Sequence, residues 1–392
     1  MEDFPQKLAE KLAERKDADA LRSLKVAPGL VDFSSNDYLG LAGNEGIYSW
    51  AGQLVAGASC ALNGATGSRL LTGNHELYTR LETLLERLHG APALVFNSGY
   101  DANMGFFASV PQRGDIVFYD EYAHASIRDG IRMGLARSYK FRHNDLEGLK
   151  AQIKKNTGEP GKKSEGRINP AEVYVVTESV FSMDGDSPDL SAMVKLCKAF
   201  GCRLVVDEAH ALGVQGTGAR GMLMEMGLQG QVFARIITFG KALGAHGAAI
   251  IGERMLKDYL LNFARSFIYT TALSPHSVAT LLAAHHFVAT ESGLEKQKEL
   301  RDNIGIFRQA VSSLQLERYF IASNSPIHSC LIPGNTNVKK ASEQLRQKGF
   351  DVRPILSPTV PAGQERLRFC LHSFNTRAQM EHALETLQLI LD

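Results

Sequence analysis

Four short apolar runs in this sequence of 392 residues end in residues that can do chemistry. The first ends Phe96-Asn97-Ser98-Gly99-Tyr100 and leads into a helical pattern. A strand, a Ser-Gly turn and a helix start leave free backbone N–H groups at the positive end of a helix dipole, which suits a phosphate. The second leads through Tyr119-Asp120-Glu121-Tyr122-Ala123 to His124. An imidazole there can stack on a flat ring or move a proton near neutral pH. The third, Leu204-Val205-Val206, delivers Asp207 and, three residues later, His210. A carboxylate in that place can keep a pyridine nitrogen protonated, because an opposite charge favours the charged form. The fourth, Ile236-Ile237-Thr238-Phe239-Gly240, runs into Lys241. Lysine is seldom buried without a function, and desolvation turns it into a nucleophile and a base.

Taken singly, each feature has a plainer explanation: a strand-to-helix turn, a capping histidine, an N-cap aspartate, a lysine reaching the surface. In this chain order they fit one cofactor, pyridoxal phosphate, with a phosphate cradle, a stacking His124, a ring-nitrogen partner Asp207 and a Schiff-base Lys241. Two other motifs compete. Asp207-Glu208-Ala209-His210 spells the DEAH of helicase ATPases, but a nucleotide hydrolase also needs GxxxxGK followed by Ser or Thr. Gly161-Lys162 and Gly240-Lys241 are the two GK pairs, and neither is so followed. Gly216-Thr217-Gly218-Ala219-Arg220-Gly221 matches GxGxxG but opens no βαβ unit, so it reads as a glycine-rich turn rather than a dinucleotide site.

The elements that must carry these residues alternate between strand and helix from about Leu77 to Thr271. Leu77, Leu81, Leu84, Leu85 and Leu88 share a helical face, with Asn74 as the expected N-cap and Gly90 past the end. Buried strands are expected at Ala93–Phe96, Asp115–Tyr119, Val173–Thr177, Arg203–Val206, Arg235–Phe239 and Ala248–Ile251. A helix is expected over Ser191–Phe200, closed by Gly201. Continuously apolar strands with helical crossovers imply an α/β fold with a mostly parallel sheet covered on both faces. Ligands then bind at the carboxyl ends of the strands. Lys154 to Asn169 is polar and reads as an exposed loop. After Pro275 the pattern changes to long helices, strand candidates Ile327–Ile332, Asp351–Pro354 and Arg366–Leu371, and a last helix from Thr376. The organisation expected is an N-terminal helical and extended segment over 1–45, a large cofactor-binding domain over 46–275 and a smaller α+β domain over 276–392.

Composition narrows the function classes. Lys plus Arg number 43 against 42 Asp plus Glu, so the basic excess of a nucleic-acid binder is missing. No apolar run approaches the roughly 20 residues that span a bilayer, and the acidic start Met1-Glu2-Asp3 does not suit a signal peptide. Cys60, Cys197, Cys202, Cys330 and Cys370 form no CxxC pair and no zinc-spaced cluster, so no metal is expected. They read as reduced thiols of a cytoplasmic protein.

Several motifs resemble those of the α-oxoamine synthases: Phe33-Ser34-Ser35-Asn36-Asp37-Tyr38-Leu39-Gly40, Thr177-Glu178-Ser179-Val180-Phe181-Ser182-Met183-Asp184-Gly185-Asp186, Val206-Asp207-Glu208-Ala209-His210 and Thr238-Phe239-Gly240-Lys241. The resemblance runs from Ala18 to the last strand. It implies the pyridoxal-phosphate transferase fold of type I, like aspartate aminotransferase, and a decarboxylating condensation of an amino acid with an acyl thioester. It also implies roles. Lys241 would hold the cofactor and remove the α-proton, Asp207 would pair with the ring nitrogen and His124 would stack on the ring. Glu178, Ser182 and His210 would line the ring. Ser98, Gly99, Tyr100 and Thr238 would hold the phosphate, and Thr270 or Thr271 the phosphate of a neighbouring subunit in a homodimer with shared sites. Asn36 and Arg368 would take the amino-acid carboxylate. Within the family, Ala18-Asp19-Ala20-Leu21-Arg22 and Pro358-Thr359-Val360-Pro361 resemble the member of the biotin pathway that joins L-alanine to a pimeloyl thioester, carried by coenzyme A or a carrier protein. Arg22 and Thr359 would then meet the acyl substrate. Members pairing glycine with acetyl-CoA, or serine with a long acyl-CoA, are the alternatives. The chain departs from the biotin member's pattern at Arg69, at His246 and in the short connection from Val26 to Phe33.

Overall fold

Alternate residues of a strand point to opposite faces, and here both sets are apolar. In β2 (Ile116–Asp120), Val117 packs on one face while Ile116 and Phe118 pack on the other. In β5 (Arg203–Asp207), Val205 goes one way and Leu204 and Val206 the other. Such strands are stable only between two layers of helices. The computed structural model describes residues 4–22, 24, 29–58, 60–158, 171–216 and 218–392. It divides into two units. One comprises Asp37–Ser182 and Ser187–Gln297; the other comprises Met1–Asn36, Met183–Asp186 and Lys298–Asp392.

The first unit is built on a sheet of seven strands among the described residues: β1 (Ala93–Phe96), β2, β3 (Arg137–Phe141), β4 (Val173–Glu178), β5, β6 (Ala234–Thr238) and β7 (Ala248–Gly252). Their order is β1-β7-β6-β5-β4-β2-β3. β7 is antiparallel to both neighbours, and every other adjacent pair is parallel. The mostly parallel α/β sheet expected from the apolar runs is therefore present. Strand β3 was not foreseen. It is an edge strand with Arg137, Ser138 and Lys140 exposed, and an edge tolerates polar residues that a central strand would not.

Helices α1 (Glu45–Gly57), α2 (Glu76–His89), α3 (Gly99–Ser109), α4 (Ala125–Met133), α5 (Leu190–Phe200) and α6 (Pro275–Phe287) belong to this unit. α6 packs against α1 and α2. With α6 in it, the unit runs on to Gln297. α2 ends at left-handed Gly90 as expected. Its N-cap position is taken by His75 rather than Asn74, because the Asn74 Oδ1 accepts two hydrogen bonds from Arg69 at 3.0 Å. Residues 154–157, expected in a loop, close the helix Leu146–Thr157; 159–169 of that loop lie outside the described residues.

The second unit holds a three-stranded antiparallel sheet of Arg353–Ile355, Arg366–Cys370 and Ile327–Leu331, with Arg366–Cys370 central. Val31–Asp32 pairs in parallel with Phe350–Asp351. The last helix, Arg377–Leu391, starts on a capping box made by Thr376 and Gln379. The short segment Met183–Asp186 joins this unit through a buried ion pair of Asp184 with Arg366 and a 2.6 Å bond from the Ser329 hydroxyl to the Met183 carbonyl. All five cysteines are free. Among the described residues no helix is long and apolar enough to cross a membrane.

Candidate active site

Strands β1, β2, β4, β5 and β6 finish on the same edge of the sheet, at Phe96, Asp120, Glu178, Asp207 and Thr238. Apart from Thr270 and Thr271, the sequence-predicted residues of the first unit stand at those ends or within four residues of them. Asp207 and Glu178 are register partners on adjacent strands, and both are nearly inaccessible. Asp207 accepts from the Ala209 N–H through Oδ1 and from the Asn103 amide through Oδ2, each at 2.9 Å. Burial pushes the Glu178 carboxyl up to about 8, and the Asp207 charge adds to the shift. Glu178 Oε1 accepts the His124 backbone N–H at 2.7 Å, which fixes the start of α4 beside it. Burial lowers the His124 pKa, against the opposing pull of the Asp207 charge, and so favours the neutral ring.

Lys241 follows β6 by three residues on a tight turn. The Gly244 N–H returns to the Lys241 carbonyl at 2.8 Å, and Gly244 adopts φ +60°. A Cβ on Gly244 would collide with the Leu41–Ala42 backbone, so only glycine lets the turn seat there. Lys241 Nζ lies 2.6 Å from His210 Nε2, and His210 Nδ1 lies 2.7 Å from the hydroxyl of fully buried Tyr38. When Lys241 is an ammonium, Nε2 must accept from it, and the imidazole proton then sits on Nδ1 facing the Tyr38 oxygen.

At the start of α3, Ser98 caps the helix: its hydroxyl accepts from the Asp101 N–H at 3.1 Å and bonds Asp101 Oδ2 at 2.8 Å. The Gly99 and Tyr100 N–H groups have no partner among the described residues. A Cβ on Gly99 would overlap the Thr238 hydroxyl, so the glycine keeps a gap between the helix start and the end of β6. The Tyr100 side chain turns outward to Asp129, and that carboxylate raises its phenol pKa. Asn97 bonds the Thr270 hydroxyl at 3.4 Å and the Thr271 carbonyl at 2.5 Å, which places both threonines beside this chain's own β1 end. Thr271 is exposed, and Ser182 is half-buried past the end of β4.

The second unit contains the other predicted residues. Arg368, on the central strand and 8% exposed, donates to Asn36 Oδ1 at 2.9 Å. Arg22 donates to the Thr359 hydroxyl at 3.3 Å, with both side chains exposed. The two pairs named from the sequence are therefore brought together, from positions over 330 residues apart.

Glu208 has a structural occupation. It pairs with Arg235 at 2.5 Å, both side chains being almost fully buried, and it accepts the Leu223 N–H at 2.9 Å. Arg69, a departure in the sequence, is likewise committed: it pairs with Glu82 and lies 3.9 Å over the Tyr78 ring. His246 is exposed. Three residues without an assigned role prove central: Tyr38, Asn103 and Ser126. Asn103 had a signal, since it lies one helical turn after Gly99 as a lone amide among apolar residues. Tyr38 and Ser126 had none beyond their neighbours.

The sequence profile of aminotransferases of class I and II matches residues 28–387. An 8-amino-7-oxononanoate synthase from Emericella nidulans is 38% identical over 397 residues, covering 97% of this chain and 94% of that protein. A serine palmitoyltransferase from S. paucimobilis, solved with a bound PLP–myriocin adduct, superposes with a TM-score of 0.84 at 25% identity, over 98% of this chain and 96% of that one. An 8-amino-7-oxononanoate synthase from Francisella tularensis superposes with a TM-score of 0.75 at 26% identity, over 92% of this chain and 98% of that one.

Proposed function

The chain belongs to the aminotransferase class I and II family, and from that premise we propose that it is a pyridoxal-phosphate-dependent acyltransferase of the α-oxoamine synthase type. Its reaction joins L-alanine to a pimeloyl thioester and releases the thiol, carbon dioxide and 8-amino-7-oxononanoate. The observation that carries the reading is Lys241, fixed on a rigid turn at the ligand-binding edge with Asp207 one strand away.

The residues present fit the cofactor. Two unpartnered N–H groups at the start of α3, the gap kept by Gly99 and the Thr238 hydroxyl offer donors and room for a phosphate. Asp207 offers a buried carboxylate to a cationic ring nitrogen. When bound, the cofactor supplies an electron sink for charge at the substrate α-carbon. Lys241 anchors it and, once released, takes the α-proton at Nζ, with His210 Nε2 in hydrogen-bond reach to share that proton. His124 covers the ring. Arg368, held by Asn36, binds the amino-acid carboxylate, and Arg22 with Thr359 meets the far carboxylate of the pimeloyl chain. Thr270 and Thr271 complete the phosphate site of a second copy in a cytoplasmic homodimer; the exposure of Thr271 supports that role.

Two experiments test this. Borohydride should fix the cofactor to Lys241, read by peptide mass, and the visible absorbance band should vanish in Lys241→Ala. Release of the carrier thiol, coenzyme A or that of the carrier protein, should be fastest with L-alanine and the matching pimeloyl thioester. The likeness to serine palmitoyltransferase favours a second reading, serine with a long acyl-CoA. Glycine with acetyl-CoA completes the comparison, and faster release with either alternative pair overturns the pimeloyl assignment.

A further inference from the structure

Asn103 is 2% exposed, Ser126 is fully buried, and together they join two residues of the site that do not share a strand. Asn103 Nδ2 donates one hydrogen to Asp207 Oδ2 at 2.9 Å and one to the Ser126 hydroxyl at 3.1 Å. The Ser126 hydroxyl lies 2.7 Å from His124 Nδ1, and the Ser126 backbone N–H also points at Nδ1, at 3.3 Å.

The direction of every bond in this chain is determined. A carboxylate can only accept, so the amide must present its NH₂ to Asp207. The Asn103 Oδ1 is left buried without a partner among the described residues. Turning the amide over would set that oxygen against Asp207, so the arrangement persists despite the unmet acceptor. Both amide hydrogens are then used, and the Ser126 oxygen accepts one of them. Its own hydrogen is free to go to His124 Nδ1. A backbone N–H on the same nitrogen confirms that Nδ1 is an acceptor, so the ring proton must be on Nε2.

We propose that Asn103 is a positioning residue that couples the Asp207 carboxylate to His124, holding His124 through Ser126 as the neutral tautomer with its proton on Nε2. Burial, which disfavours imidazolium, acts in the same direction. The ring thus presents a neutral N–H donor on its outer edge, suited to hold an anionic oxygen without adding a second cation to a site that already contains Lys241. The hydrogen-bond chain stands on its own geometry; its consequence for turnover rests on the cofactor reading above.

The test is long-range ¹⁵N–¹H correlation on the cofactor-loaded protein labelled at histidine, with His124 assigned by its loss in His124→Gln. The wild-type signal should show a protonated Nε2 and a bare Nδ1 at pH 7. Asn103→Ala and Ser126→Ala should lower turnover about 10- to 100-fold, as loss of a ligand-orienting partner does, and weaken the Nε2 tautomer, which only the backbone N–H of residue 126 then supports, while Ser126→Thr keeps the wild-type pattern. A wild-type His124 protonated on Nδ1 or on both nitrogens overturns the proposal. So do wild-type tautomer and turnover in Ser126→Ala, which answers the question if Asn103→Ala does not fold. Failure of borohydride to fix cofactor at Lys241 would instead count against the cofactor reading, and the His124 tautomer is then read on the same labelled protein without cofactor.

Discussion

Gly99→Ala probes the phosphate end of the site with a single carbon atom. The new Cβ would overlap Thr238 Oγ1, whereas Thr238 Cβ and Cγ2 at 3.6 and 3.8 Å are ordinary neighbours. The conflict is thus confined to one atom. Thr238 ends β6 in register with Ala248, so its backbone cannot retreat without breaking the ladder. It can turn about χ1, but a β-branched side chain offers few alternatives. Exchanging Oγ1 for the methyl leaves the overlap, and the remaining rotamer moves the hydroxyl to where the methyl stands. Either outcome removes the hydroxyl from its place or displaces the α3 N-terminus. Overpacking of this kind destabilises the fold by about 1–3 kcal/mol, and losing a hydrogen bond to a charged phosphate costs about 1.5–3 kcal/mol, about 10- to 150-fold in affinity. Titration of the stripped protein with pyridoxal phosphate, followed by absorbance, should show that loss for Gly99→Ala. The double variant Gly99→Ala/Thr238→Ala relieves the overlap and should recover thermal stability, but not affinity, because the hydroxyl is gone. Cofactor binding by Gly99→Ala within twofold of wild type would refute the cradle.

Two further outcomes follow from buried charges. Arg235→Met removes the partner of the buried Glu208 carboxylate, and breaking a buried pair costs about 3–5 kcal/mol. Denaturant unfolding should show it, with Glu208→Leu/Arg235→Met recovering more than half; a single variant within about 1 kcal/mol of wild type would contradict the buried pair. Glu178 is raised by burial and by Asp207 to about 8 from 4.5. Between those values the unfolded chain releases a proton that the folded chain keeps, so stability falls as pH rises through that window. Glu178→Gln retains the acceptor for His124 N–H and removes the titration. In cofactor-free protein its melting temperature should gain on wild type from pH 5 to pH 8, and parallel curves would exclude the raised carboxyl.

The sequence alone determined the edge of the sheet and most of what stands on it. Apolar runs closed by Gly99, His124, Asp207 and Lys241 are local signals, because a strand end delivers the next residues to a ligand wherever the sheet lies. Strand β3 escaped since an edge does not require an apolar code. Only the tertiary structure decided which of the polar residues act together. The nucleotide reading of Asp207–His210 already fails in the sequence for want of a phosphate loop, but only packing buries Glu208 against Arg235, 27 residues on. Asn103 meets Asp207 across 104 residues, and Tyr38 meets His210 across 172. Such pairings depend on packed distances of about 3 Å, and no periodicity within a segment encodes them. A chain can state locally that a residue will stand at a strand end. Which neighbour will fix its proton depends on how distant segments pack.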